Sequence, residues 1–401
     1  MIRKFHSFRA VSGLALLAGL SASGPAQADA DWLFDLRARY ETVSQDGFSE
    51  NAQALTLRTR FGVETALGSG FSVLAEGEHI WQLVDDFNDT TNGRTGFPVV
   101  ADPDLLQLNR LQLRYAGEAG TSATLGRQRI VRGDARYIGN VGFRQNEQTF
   151  DALFLTHEPR DGLSLSYACI GGVNRIFGTD HPAGELDTVI HAADASLSLA
   201  GGQLGGFFLL AEFDDLAALS SATFGANWRG TTTLTDGLVL SHFAELAHQS
   251  DHGNAPRAFD LLAVRAEAGL TRDGFTGRLG VEWLDGDGSQ GFATPLATLH
   301  KFQGWADAFL TTPADGIRDL YVQANYQLPV PEGVPNMTVT LAYHDFETAN
   351  GGIALGAEFD AELAARLSER LTLRLRAAVF DGAAAGPADR EKVWLSLDFA
   401  L

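Results

Sequence analysis

Cysteine is nearly absent from this chain. Cys169 is the only one in 401 residues, which excludes an intramolecular disulfide framework and any cysteine-built zinc site. Positive charge is scarce as well, with Lys+Arg 30 against Asp+Glu 50. A nucleic-acid binder needs the opposite balance, a basic patch set against phosphate. No apolar run reaches about 18 residues, so helices that cross a membrane are excluded while a membrane β-barrel is not.

Enzyme signatures are missing too. There is no G-x-S-x-G, no H-E-x-x-H and no Walker sequence. Gly286-Asp287-Gly288-Ser289-Gln290-Gly291 spells G-x-G-x-x-G, but no βαβ unit surrounds it. The stretch from Asp285 to Ser289 reads as a turn or a calcium loop. Ser241 with His242 or His344 would be the only hydrolase-like group, and no spacing supports it. The pairs His157-Glu158 and His344-Asp345 read as isolated strand polarity, and Cys169 as an inert small hydrophobe. No catalytic residue, metal ligand or cofactor is expected.

The N-terminus reads as an export signal. Arg3, Lys4 and Arg9 form a positive start, Val11 to Leu20 an apolar stretch, and Ala26-Gln27-Ala28 an A-x-A cleavage site. Residues 1–28 are therefore expected to be removed, making the mature chain more acidic still. Residues 29–401, expected to form a single unit, are then placed in the periplasm, the outer membrane or outside a Gram-negative-type cell.

Alternation with period two runs from Trp32 to the last residue. In 53–67, Leu55, Leu57, Thr59, Phe61, Val63, Thr65 and Leu67 share one face, against Thr56, Arg58, Arg60, Gly62 and Glu64. The last strand sets Val393, Leu395, Leu397, Phe399 and Leu401 against Ser396 and Asp398. About 18 such segments can be marked, each of the length a tilted membrane strand needs. The alternation is least clean between 187 and 249. Short turns alternate with long connections near 85–103, 133–145, 174–186 and 286–316, as outer-membrane barrels require. The expected fold is all-β: a transmembrane, antiparallel, up-and-down barrel of about 18 strands.

Hairpin registers can be read the same way. Pairing Leu67 with Phe71 sets Arg60 opposite Glu78. Pairing Leu363 with Leu373 sets Arg374 opposite Glu362 and Arg376 opposite Asp360, and pairing Leu270 with Phe275 sets Glu267 opposite Arg278.

A barrel this wide encloses an aqueous lumen, so function lies on the inner face and in loops folded across the mouth. Candidate pore residues are Arg58, Arg60, Arg110, Arg114, Arg127, Arg129, Arg136, Arg144, Arg374 and Arg376, with Arg37 and Arg39 on the first strand. Lumen arginines either clamp an anionic solute or merely pair with Asp35, Glu41, Glu64, Glu76, Glu78, Glu358 and Asp360. The run from Arg110 to Arg144 is the favoured solute path because its acidic complement, Asp134 and Glu147, looks thin. Arg127 and Arg129 are placed on the fifth strand, drawn over 120–132. In the loop 286–316, Lys301, Trp305 and Asp307 are expected to fold inward and narrow the pore.

Two blocks carry a family resemblance. One is Leu125-Gly126-Arg127-Gln128-Arg129, with Arg136-Tyr137-Ile138-Gly139 and the run from Phe143 to Asp151. The other runs from His300 to Asp307, then Phe309 to Pro313 and Gly316 to Tyr321. The sequence resembles outer-membrane porins of the alginate-export family over most of the mature chain. That resemblance implies an 18-stranded barrel passing a polyanionic uronate polysaccharide through an arginine-lined pore, with Arg127, Arg129, Arg136 and Arg144 lining it.

The expected function is a channel for an anionic oligo- or polysaccharide or a similar acidic solute. A general diffusion porin, and a receptor or adhesin acting through the loops, are the alternatives. Expected partners are outer-membrane lipids, an anionic carbohydrate or small acidic solute and the machinery that inserts barrels, with no nucleic acid.

Overall fold

The computed structural model describes residues 30–118 and 120–401; the expected signal over 1–28 lies outside them. Eighteen strands follow one another along the chain. The first six are β1 (Ala30–Gln45), β2 (Ala52–Gly68), β3 (Phe71–Asp86), β4 (Leu105–Ala116), β5 (Ser122–Gln128) and β6 (Thr149–Arg160). Next come β7 (Leu163–Asn174), β8 (Glu185–Leu199), β9 (Gly202–Phe213), β10 (Ser221–Thr235), β11 (Leu238–Asp251) and β12 (Asp260–Arg272). The last are β13 (Phe275–Leu284), β14 (Ile317–Gln327), β15 (Asn336–Glu347), β16 (Ala354–Arg366), β17 (Leu371–Gly382) and β18 (Arg390–Ala400).

Each strand pairs antiparallel with its chain neighbours, and β1 pairs with β18, Asp35 facing Ala400, so the sheet closes without an edge. Short turns gather at one end, together with Ala30 and Ala400, and long connections gather at the other. The expected architecture is the one found.

The wall is inside out relative to a soluble protein. Arg58 is 1% exposed, whereas Leu395 is 45% and Phe61 56%. Apolar side chains face outward as a band for lipid, and charged ones are buried against one another within the lumen.

Two expected registers shift by two residues. Leu270 faces Gly277 rather than Phe275, because Asp273 (φ 49°) and Gly274 (φ 78°) make a two-residue turn directly between Arg272 and Phe275. Leu363 faces Leu375, so Arg376 rather than Arg374 stands opposite Glu362. An even shift keeps every side chain on its face, so Arg278 still lies 3.7 Å from Glu267 on the diagonal. The β2–β3 hairpin sets Arg60 opposite Glu78 as read, although a bulge next to the turn moves Phe71 opposite Gly68.

The fifth strand is shorter than expected. It ends at Gln128, whose side-chain amide donates to the carbonyls of Thr124, Gly126 and Ala152. Continuing in register would turn Arg129 outward with Leu125, toward lipid, where a mid-bilayer arginine costs about 2–4 kcal/mol. Instead the chain plunges inward. Ile130 and Ile138 pack on Phe150, Ile170 and Ile190, the apolar inner faces of β6 to β8, and Leu296 of the loop between β13 and β14 joins the same cluster.

Candidate solute pathway

Two long connections, 129–148 and 285–316, fold into the lumen and bind each other. Gly139 N–H donates to Leu296 O at 2.8 Å, Thr298 N–H to Ala135 O at 3.0 Å, and Lys301 Nζ to Asp134 O at 2.8 Å. The first loop fills the arc beneath β2 to β9. What stays open is a cavity of about 810 Å³ lined from β1, from β10 to β18 and from the two loops. A second apolar patch of the inner wall, with Leu284, Ile317, Phe346 and Phe380, seats Phe292 and Phe309 of the second loop.

Most predicted pore arginines sit in the closed half. Arg58 reaches Asp35 at 3.1 Å and Arg60 binds Glu78, while both face the carbonyl of Gln145 in the first loop. Arg110 forks onto Glu76 at 2.7 and 2.9 Å. Arg129 lies on Glu147 at 2.5 Å. Arg136 holds Glu282 at 2.6 Å and Thr294 at 2.9 Å, and Arg144 holds Glu41 at 3.0 Å. The acidic complement of this run is therefore not thin. Glu147 supplies part of it from the loop itself, and Glu282 and Glu41 come from strands distant in sequence, which a scan along the chain does not bring together.

Two more of the predicted arginines fall elsewhere. Arg127 shares the parity of the exposed Leu125 and pairs with Asp151 at 2.9 Å, so it lies on the outer wall and not in the pore. Arg114 stands on the inner face near the short-turn end, opposite Ser72 and Thr124. Arg374, Arg376, Lys301 and Trp305 do line the cavity. Asp307 is buried behind it, an anchor rather than a lining residue. Ser241 faces inward and donates to Gly269 O, whereas His242 accepts from the indole of Trp228 on the outer wall, so the two cannot act together. The Asp287 carboxylate is occupied by the amides of Ser289 and Gln290 and by Arg257.

The cavity wall carries residues that were not singled out: Arg229 of β10, Arg265 of β12 and Arg278 of β13. Arg265 is engaged with Asp134, with Glu245 at 3.1 Å and with Glu282 at 3.2 Å. Among the described residues, Arg229 and Lys301 form no ion pair with a carboxylate, and Arg278 has only the loose contact with Glu267. Arg229 lies over the ring of Phe243 and Lys301 over that of Phe302, and with Arg278 they present cationic charge that the wall leaves largely unneutralised. For Arg229 and Arg278 the signal in the sequence is inward strand parity, and Arg229 sits amid indistinct alternation.

The loop side of the cavity is held by neutral and charged anchors together. His300 stacks on Phe143 with ring centroids 3.4 Å apart, faces Asp307 through Nδ1 at 2.8 Å and accepts from Arg376 through Nε2 at 2.8 Å. Burial lowers its pKa to about 3, which suits a ring that must keep a lone pair for the guanidinium. Burial opposes ionisation of Asp307, but Lys392 at 2.8 Å, His300 and Arg144 hold it well below the usual carboxylate range. For Glu147, burial is likewise outweighed by Arg60 and Arg129, and its pKa falls to about 2.

The fold is a closed, 18-stranded antiparallel β-barrel with an apolar outer face and a charged lumen, the architecture of outer-membrane porins. The chain is similar to OccK9 (OpdG) of Pseudomonas aeruginosa, with a TM-score of 0.71 and 17% identity over 93% of this chain and 99% of that one. It is similar to OpdK of the same organism, solved with vanillate, with a TM-score of 0.69 and 16% identity over 92% and 98%. OccAB4 of Acinetobacter baumannii gives a TM-score of 0.71 and 13% identity over 94% and 100%. OpdK is described as an outer membrane protein. The likeness is one of fold. No protein-family model matches the sequence and no curated protein matches it, so the expected membership of the alginate-export family is not sustained.

Proposed function

We propose that this channel passes small organic anions by passive diffusion across the outer membrane. The observation that carries the reading is the trio Arg229, Arg278 and Lys301, cationic groups turned into the open cavity and left largely unneutralised by the wall. Guanidinium groups bind carboxylates with two parallel hydrogen bonds, and rings of fixed charge set selectivity in a water-filled pore. Arg374 and Arg376, on β17, extend positive charge along the cavity, although Asp398 and Glu362 offset them.

The cavity favours a small solute over a polysaccharide, since two loops occupy the lumen and Trp305 stands at the opening. Vanillate, the carboxylate with which OpdK was solved, is a suitable first probe. Added to an open channel, it should interrupt the ionic current, while the neutral alcohol of the same shape should not. Equal block by both compounds, or by neither, would overturn the reading.

A further inference from the structure

The constriction loop rests on two carboxylates of β16 that the solute path does not use. Ala306 N–H donates to Glu358 Oε1 at 2.7 Å, and Trp305 N–H donates to Asp360 Oδ2 at 3.3 Å. The other oxygens, Glu358 Oε2 and Asp360 Oδ1, are buried without a hydrogen-bond partner among the described residues. The two residues are 1% and 0% exposed. Gly304 lies so close that a Cβ there would come within 2.4 Å of the Glu358 carboxyl group. Alternate residues of a strand share a face, so the two carboxyls stand side by side under the loop.

The charges around them are committed elsewhere. On β15, His344 lies 3.8 Å from Asp360 through Nε2, but its Nδ1 is 2.9 Å from Asp319 of β14. On β17, Arg376 is taken by Glu362 and His300. On β18, Lys392 is bound to Asp307 and Arg390 to the Asp307 carbonyl, and Arg144 of the first loop also meets Asp307. Glu282 of β13 adds one more carboxylate on the His344 side. Among the described residues, no lysine or arginine forms an ion pair with Glu358 or Asp360. Two adjacent buried carboxylates in such surroundings cannot both stay ionised without a large penalty.

We propose that Glu358 and Asp360 hold one proton between them and that this shared proton seats Trp305 at the constriction, so that the bore of the pore depends on pH. The proton supplies each orphan oxygen with its missing partner, while the remaining oxygens accept the loop N–H groups. Its removal leaves two like charges in contact beneath a loop tied down there by only two N–H bonds. The loop then lifts, carrying Trp305 with it. This inference rests on the channel reading but not on its charge preference.

The experiment is single-channel conductance from about pH 5 to about pH 10 for wild type, Glu358→Gln and His344→Gln. Glutamine keeps an oxygen for Ala306 N–H and offers Asp360 a permanent N–H. Wild type should step up by about twofold toward alkaline pH as the constriction widens. His344→Gln should keep the step, and Glu358→Gln should remain narrow throughout. Asp360→Asn makes the same substitution from the other side and serves if Glu358→Gln fails to insert. A flat wild-type profile, a step that survives in the Gln or Asn variant, or a step lost in His344→Gln would overturn the proposal. So would a conductance that follows the identity of an added metal cation, since a metal would then occupy the pair. Cation selectivity in all three proteins would sink the anion reading and leave this result untouched.

Discussion

Arg144 Nη2 lies 3.2 Å from Asp307 Oδ2, and that contact joins the loop after β5 to the loop after β13. The same Asp307 carboxyl accepts Lys392 Nζ from β18 and faces His300 Nδ1, each at 2.8 Å. Arg144 also reaches Glu41 of β1. Both pore-narrowing loops and the seam that closes the barrel therefore meet at one buried carboxylate.

Asp307→Asn should loosen the constriction without unfolding the barrel. It leaves Arg144 and Lys392 buried with too little negative charge, and breaking such a site costs about 3–5 kcal/mol. The inserted loops are the parts able to relax, since the wall keeps its full hydrogen-bond ladder. Conductance and current noise should rise at neutral pH; a quiet current of wild-type size would contradict this.

Neutralising Arg229 and Lys301 together to glutamine should lower the anion-to-cation permeability ratio severalfold. Arg127→Gln should leave the ratio unchanged, because that side chain pairs with Asp151 on the outer wall. Reversal potentials in a salt gradient distinguish the two sites. A change with Arg127→Gln and none with the double variant would reverse the assignment of inner and outer faces.

Leu395→Arg places a charge in the middle of β18 on the outer face. Near the bilayer centre this should destabilise the barrel by about 2–4 kcal/mol, measured by reversible urea unfolding in lipid vesicles. Leu395→Phe should be close to neutral. Equal stability of the arginine variant would mean that Leu395 does not face lipid.

Acid should release the inserted loops before the wall fails. Glu147 has a pKa depressed from 4.5 to about 2, so its contribution is complete above about 4.5 and is lost as pH falls toward 2. His300, depressed from 6.5 to about 3, acts with the same sign, because the unfolded state binds a proton below 6.5 that the folded state refuses. Amide exchange within 140–148 and 298–307 should accelerate as pH falls below 5, after correction for the intrinsic rate, while β1 to β3 stay protected. Protection of both loops down to pH 3 would contradict this.

The barrel was legible because one face of each strand meets lipid and the other meets water or charge, and both leave a mark of period two. Strand count and the faces of Arg58, Arg60 and Leu395 follow from that pattern. Turn geometry moved the registers of Leu270 and Leu363 by two residues without changing a face. The solute path was less legible for a physical reason. Arg127 and Arg129 look like neighbours on one strand face, yet the wall ends between them and sends one outward and the other inward. The partners of Arg136 and Arg144, Glu282 of β13 and Glu41 of β1, come from strands distant in sequence, so the density of arginine between 110 and 144 marked an ion-pair network. The open charges at Arg229 and Arg278 lay in strands where no such density drew attention.

Reversal potential across a planar bilayer with a potassium chloride gradient tests the central claim most directly. An anion-selective channel governed by Arg229, Arg278 and Lys301 should reverse near the chloride equilibrium potential. Reversal toward the potassium potential would contradict the assignment of this cavity as a path for anions.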